Sequence, residues 1–250
     1  MSPSAATWIK RLFSKRSRTS FRVAAGKRRI VRSISSSLLA AIWSRAWETS
    51  SWFRDAKLET GDLTRAIAKA KLALDLYSPA PATRQLGDSL GLAIKPAEEA
   101  DQLDLAFDGA DSVDFSLRAL KSKGGIHLFE KIAAQEADEY ILLLPEGRLR
   151  EKLDAEIQLC LEVAAPAVKS LLRFAKGLAL KASVRKNESI LGNKLVDLYA
   201  ENWDKIEEVN QQLLAFNGVV ASSLFAGEVT SVITVQNGQA VEIGKGENHD

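Results

Sequence analysis

The residues best equipped for chemistry crowd into one stretch, LDLAFDGADSVDFSLRALKSKGGIHLFEK at positions 103–131. Leu103–Phe107 is a short apolar run expected to form a strand. It leads straight into Asp108-Gly109-Ala110-Asp111. In open parallel sheets, ligands bind beyond the carboxyl ends of the strands, where Asp108 and Asp111 would then lie. Gly109 would let the backbone turn sharply and come close to a ligand, with Ala110 beside it. Lys121 precedes Gly124 and Gly125, which lead into a helix expected over Ile126–Ala134. The start of such a helix offers free N–H groups and a positive dipole, suited to phosphate or to a developing enolate oxygen. Glu130 lies about a turn and a half into that helix. It is four residues after Ile126, an apolar neighbour, and loss of hydration there makes a carboxylate a better base. Singly, these signals also fit a common Asp-Gly turn, a solvated glutamate and an ordinary glycine loop. Their order and spacing point to a site.

Strand, acidic turn, glycine loop, helix, and a second buried strand over Tyr140–Leu144 make up the grammar of an α/β domain. Upstream, Phe21 to Trp47 has a helical pattern of poor phase. Residues 63–76 read as an amphipathic helix with Leu63, Ile67, Ala70 and Leu74 on one face, stopped by Pro79 and Pro81. Ala82–Leu90 reads as a short helix closed by Gly91. Downstream, Ile157–Val163 reads as a strand, and Pro166 opens a helix through Leu180. Residues 181–199 read as two strands around Asn187–Asn193. Asn202 is placed to cap a helix over Trp203–Phe216. Val219–Phe225 reads as a strand. Val229–Val235 and Gln239–Ile243 flank a hairpin turn at Gln236-Asn237-Gly238. The order strand–helix–strand–strand–helix–strand suggests a small α+β module in or beside the first sheet.

Composition narrows the function classes. The chain has 250 residues, 34 Lys and Arg against 32 Asp and Glu, one cysteine and two histidines. Cys160 has no intrachain partner, and Cys160, His127 and His249 alone do not make a zinc site. No apolar run is long enough for a membrane span. The small net charge of +2 hides an asymmetry, since eleven bases and no acid precede Glu48. A basic arm over residues 1–19, expected to be disordered, would thus sit on an acidic body. It fits a solvated tail, a transit peptide, or a segment that binds nucleic acid or anionic lipid. No aromatic residues are interleaved with the bases at regular spacing, so nucleic-acid stacking finds little support. Cytoplasmic location is expected, with organelle import through the arm as the alternative.

The central stretch resembles the ribose-5-phosphate isomerase A family. That family reads Asp-Gly-Ala-Asp-Glu, then a lysine before a glycine run, then Arg-Glu-Lys on the next helix. Here Asp108, Asp111, Lys121 and Glu130 fall at those positions without a gap. Pro81-Ala82-Thr83-Arg84-Gln85-Leu86, LCLEV at 159–163 and FNGVVASSLF at 216–225 resemble further family segments. The resemblance covers roughly 80–245, with a fainter match at Phe21–Gly26. The chain also departs from the pattern. The family's Gly-Thr-Gly-Ser-Thr phosphate loop should lie near 42–53, where IWSRAWETSSWF has no glycine but offers Thr49, Ser50 and Ser51. Ser112 replaces the glutamate after the second aspartate, and Ser122 and Lys123 interrupt the glycine run. Lys186-Asn187-Glu188-Ser189 stands for the family's Asp-Asn-Gly-Asn turn, and Arg148 for a lysine. Arg and Lys are not geometrically equivalent.

The resemblance implies an α/β fold, with a Rossmann-like α/β/α domain and a small inserted α+β (ferredoxin-like) domain. The first would span 20–153, completed by 229–250, and the second 154–228. It implies interconversion of ribose 5-phosphate and ribulose 5-phosphate through an enediolate, without metal or organic cofactor. Glu130 would move the proton between two carbons, and Lys121 would stabilise the enediolate oxygen. Asp108 and Asp111 would assist ring opening and hydroxyl proton transfer. Gly109, Ala110, Gly124, Gly125, Arg22, Arg148 and Thr49–Ser51 would contact substrate or its phosphate. A homodimer is expected. The alternative is a non-catalytic sugar-phosphate-binding or regulatory protein on the same fold.

Overall fold

The computed structural model describes residues 31–34, 68, 74–100, 102–236 and 239–245. The chain divides into two compact units. The first comprises 1–109, 136–144 and 233–243, and the second 110–135, 145–232 and 244–250. A division at 153/154, expected from the sequence, falls inside the second unit. The reason is that Ser112–Asp114 and Leu149–Arg150 pair with each other in one sheet that also takes in Leu224–Phe225.

The first unit is built on a seven-stranded sheet. Its spatial order is Gln239–Gly244, Ser231–Gln236, Ala137–Leu143, Leu103–Asp108, Val31–Ile34, Asp75–Ser78, Ile94–Pro96. From Val31–Ile34 the chain steps outward through two parallel neighbours. It then returns to lay Leu103–Asp108 on the other side, again parallel, followed by Ala137–Leu143. The order therefore reverses between Val31–Ile34 and Leu103–Asp108, the kind of switch point at which α/β sheets bind ligands. Asp108 ends the strand beside that point. Leu103, Leu105, Phe107, Ile141 and Leu142 are buried, as strands covered on both faces require. The final hairpin joins this sheet, as expected.

The second unit holds two four-stranded sheets. One runs Lys181–Glu188, Lys194–Tyr199, Leu159–Val163, Val219–Ser222, with every neighbour antiparallel. Helices Val168–Gly177 and Ile206–Leu214 complete the expected strand–helix–strand–strand–helix–strand order. Leu171, Ala175, Ile206 and Leu213 pack with Leu159, Leu161, Val163, Val196 and Leu198 in one cluster. The other sheet runs Leu224–Phe225, Ala119–Leu120, Ser112–Asp114, Leu149–Arg150. Leu120 and Leu224 belong to the same cluster, so one core serves both sheets.

Several elements differ from the sequence reading. Val31–Ile34 is a strand within the stretch read as helical; β-branched Val31 and Ile34 suit the centre of a parallel sheet. Asp75 and Leu76 belong to a strand, Asp75–Ser78, and not to the end of a helix, because Leu76 and Tyr77 are both buried there. The helix after Pro166 is shorter than read, Val168–Gly177, preceded by a 3₁₀ turn at Ala165–Ala167. Asn202 does not cap a helix. Its side chain accepts from the Asp204 N–H in a local turn, and the helix begins at Ile206. Residues 186–188 lie in a strand, and the hairpin turn is Ser189–Asn193, with Gly192 at φ 78°. Glu162, buried in the neighbouring strand, anchors that turn by accepting from Ser189 Oγ at 2.6 Å and Asn193 Nδ2 at 2.8 Å. No helix among the described residues is long and apolar enough to cross a membrane.

Leu161 is fully buried at the centre of the shared core. Replacing it with alanine should destabilise the chain by about 2–5 kcal/mol, the usual range for an aliphatic side chain lost from a packed core. Urea unfolding of the Leu161→Ala chain measures this, and a midpoint equal to the parent's would contradict it.

Candidate active site

Lys121 follows directly on Ala119–Leu120, and its N–H donates to the Ser223 carbonyl at 3.0 Å. Its side chain turns inward and is 3% exposed. Glu130 reaches it from the helix His127–Glu136, with Nζ and Oε2 3.4 Å apart and the glutamate 6% exposed. The helix starts one residue later than read, so Glu130 lies in its first turn. The positive end of the helix favours a carboxylate there. The Phe225 ring lies under both Lys121 and Lys131, 5.8 Å and 4.2 Å from the two ammonium groups. Lys131 is paired with Glu228 at 2.7 Å.

Asp111 organises the loop after Lys121. Its Oδ2 accepts the N–H groups of Ser122 and Lys123, at 2.8 and 3.0 Å. It thereby fixes the loop that carries Lys121 into the helix. Its Oδ1 faces the Lys123 ammonium at 3.7 Å. Gly125 needs to be glycine, with φ 69° and a Cβ that would stand 2.7 Å from Leu195 Cδ1. Gly124 has an ordinary environment, with only the Ile126 side chain near its missing Cβ. Arg148 donates to the Ala110 carbonyl at 2.6 Å, which places its guanidinium at the start of the same loop system. Asp111, Lys121, Gly124, Gly125, Glu130, Ala110 and Arg148 all belong to the second unit.

Asp108 and Gly109 belong to the first. The Asp108 carboxylate is fully buried and accepts from the Gly109 N–H and the Tyr140 hydroxyl, both at 2.8 Å. Gly109 is not among the positive-φ glycines, so its turn uses no left-handed backbone. Arg22, Thr49, Ser50, Ser51 and the arm over 1–19 lie outside the described residues. Cys160 is fully buried, and loss of hydration pushes its thiol well above the usual range, so it is no nucleophile.

A family model described as ribose 5-phosphate isomerase A (phosphoriboisomerase A) matches residues 77–239, well over half of the chain. The chain belongs to the ribose 5-phosphate isomerase A family. Its relatives include the ribose-5-phosphate isomerase A of Streptococcus uberis, 32% identical over 177 residues, covering 69% of this chain and 78% of the relative. That of Desulfatibacillum aliphaticivorans is 32% identical over 173 residues, covering 66% and 74%. Among solved structures, ribose 5-phosphate isomerase A from Neisseria gonorrhoeae superposes with a TM-score of 0.72 at 20% identity, covering 87% of this chain and 89% of its own. The Methanocaldococcus jannaschii structure gives 0.70 at 21%, covering 96% of both. A D-ribose-5-phosphate isomerase in complex with phospho-erythronic acid gives 0.72 at 19%, again covering 96% of both. At these identities the structural likeness speaks to the mixed α/β fold, with its parallel and antiparallel sheets. The family match itself spans Asp108, Asp111, Lys121 and Glu130.

Several residues that partner the named side chains within each unit are not marked by the sequence. Tyr140 was read only as strand, although a buried tyrosine hydroxyl needs a partner and Asp108 supplies one. Ser223 and Arg185 act through backbone groups distant in the chain, and no local pattern marks them. His127 opens the helix that carries Glu130 and is completely buried. Burial pushes its imidazolium down to about 4, opposed by the Ala221 backbone and reinforced by the cations Lys131, Arg185 and Lys121.

That shift has a sign. The folded pKa lies below the ordinary 6.5, so on acidification the unfolded chain takes the proton first. The stability contributed by neutral His127 is complete above pH 6.5 and is lost as the pH falls toward 4. Between pH 7 and pH 5 the loss should be about 2 kcal/mol. Urea unfolding at both values, for the parent and His127→Leu, checks this: the variant should lose that part of the pH slope. An identical slope in both would contradict it.

Proposed function

We propose that Lys121 and Glu130 carry the proton transfer that turns an aldose phosphate into a ketose phosphate. As a ribose 5-phosphate isomerase A family member, the chain is an isomerase interconverting ribose 5-phosphate and ribulose 5-phosphate, a step of the pentose phosphate pathway. The observation that carries the residue assignment is the buried contact between Lys121 Nζ and Glu130 Oε2 at 3.4 Å. Moving a proton from the carbon beside a carbonyl to the carbonyl carbon, while the hydroxyl proton on O2 passes to O1, needs one base and a cation where oxygen charge develops. Glu130 takes the proton from C2 of the aldose and returns it to C1. Lys121 stabilises the enediolate oxygen in between, in a setting where little water weakens the attraction.

Asp111 holds the loop through Oδ2, and Oδ1, which faces the exposed Lys123 ammonium, is assigned to a sugar hydroxyl. Asp108, at the strand end beside the switch point, assists ring opening. Arg148, with Arg22 and Thr49–Ser51, is assigned to the phosphate. Gly109, Ala110, Gly124 and Gly125 supply backbone around the sugar. In the same proposal the parallel sheet is Rossmann-like, and the strand–helix–strand–strand–helix–strand module is ferredoxin-like. A homodimer is supported by the exposed apolar side chains Val184, Ile190, Leu191 and Tyr199.

Glu130→Gln tests the assignment. Glutamine keeps the shape and cannot take the proton. Turnover of saturating ribose 5-phosphate should fall about 10²–10⁴-fold, the range contributed by a general base, while binding persists. Equal rates for parent and variant would reject Glu130. A parent that binds the sugar phosphate without converting it would favour the non-catalytic reading.

A further inference from the structure

The loop between Lys121 and the helix is gripped on both sides. On one side Asp111 accepts the N–H groups of Ser122 and Lys123. On the other, Arg185 donates Nη2 to the Ser122 carbonyl and Nη1 to the Lys123 carbonyl. The same guanidinium holds Asp197 two-handed, Nε to Oδ2 at 2.8 Å and Nη2 to Oδ1 at 2.7 Å. Arg185 lies on Lys181–Glu188 and Asp197 on Lys194–Tyr199, paired strands of one sheet. Leu195, on the strand of Asp197, packs against Gly125, with its Cδ1 2.7 Å from where a Cβ would stand. A rigid hairpin is thus built against the loop that carries the lysine.

We infer that Arg185, oriented by Asp197, is a positioning residue for isomerisation, setting Lys121 against Glu130 through the carbonyls of Ser122 and Lys123. This rests on the assignment of Lys121 and Glu130 made above. The planar fork is what the task requires. One edge engages the carboxylate, and the remaining hydrogens reach two carbonyls at fixed angles. Asp197 is itself nearly buried, with its carboxylate 9% exposed, so it cannot drift and holds the fork in one plane. Removing the fork frees both carbonyls, while Asp111 still holds the Ser122 and Lys123 N–H groups and the Ser122 hydroxyl keeps its bonds to Gln158 and Ser223. Arg185 meets the loop at the carbonyls of Ser122 and Lys123, on the backbone that follows the lysine.

The test pairs kinetics with amide hydrogen exchange on the full chain. Arg185→Met should lower kcat for ribose 5-phosphate by about tenfold to a hundredfold, the cost of misplacing a reacting group by about 1 Å. KM should change far less than kcat, and Arg185→Lys should restore part of the rate. The Ser122 and Lys123 amides should exchange faster, while those of Leu159–Val163 stay protected. A kcat equal to the parent's overturns the inference. So does a loss of kcat that accompanies a general rise in exchange across the unit, which marks a structural role only. If Arg185→Met does not fold, Asp197→Asn is read in the same way, with a smaller loss of kcat expected, because the fork loses its anchor but not its donors. A parent without turnover overturns the isomerase reading and the catalytic part of this inference with it. The exchange at Ser122 and Lys123 then still decides whether Arg185 holds the loop.

Discussion

An ammonium and a carboxylate nearly stripped of water impose the main constraint on the second unit. Removing Lys121 and Glu130 from solvent costs several kcal/mol per ion, and their attraction offsets this only if the geometry is held. The surroundings are built to hold it. The Lys121 N–H is tied to Ser223, and the next two peptide groups are tied to Asp111 and Arg185. Glu130 sits in the first turn of its helix, where the backbone dipole already favours negative charge. As a source of stability alone, such a pair is outdone by apolar side chains of similar volume. Its presence makes sense where a reaction draws on both charges.

Asp111 shows how a site residue divides its labour. A carboxylate has two oxygens with several lone pairs, so one can organise the backbone while the other meets a hydroxyl. Here Oδ2 organises two N–H groups. The interruption of the glycine run by Ser122 and Lys123 then has a structural use. Both residues provide peptide groups for the clamp, and Ser122 adds a hydroxyl that bonds to Ser223 and to the Gln158 carbonyl.

What the sequence revealed follows from range. The strand into Asp108, the helix under Glu130 and the βαββαβ order are local patterns of apolar period, glycine and proline, and they were legible. Val31–Ile34 was not, because four residues in a basic, serine-rich stretch carry too little periodicity, and their strand state is set by partners at 75–77 and 105–107. Asp75–Ser78 followed a strongly helical run that masked the change of period. The hairpin turn is narrower than the Asn187–Asn193 span, and the buried Glu162 that anchors it is distant in the chain. Arg185 lies more than sixty positions from the carbonyls it serves, so no window of sequence joins them. Asp108, Asp111, Lys121 and Glu130 could be read together because they lie close in the chain, between the end of the strand Leu103–Asp108 and the first turn of the helix His127–Glu136.

The segment read as one strand over 219–225 is two, and the break at Ser223 joins separate sheets. Val219–Ser222 pairs with Leu159–Val163, and Leu224–Phe225 pairs with Ala119–Leu120. At the break, Ser223 exchanges backbone bonds with Cys160 and Lys121, and its hydroxyl meets Ser122 and the Cys160 N–H. The two sheets are therefore welded at a single residue, and neither can shear against the other without breaking those bonds together. Mechanically, the seat of Lys121 is not a flexible arm but a corner of the frame.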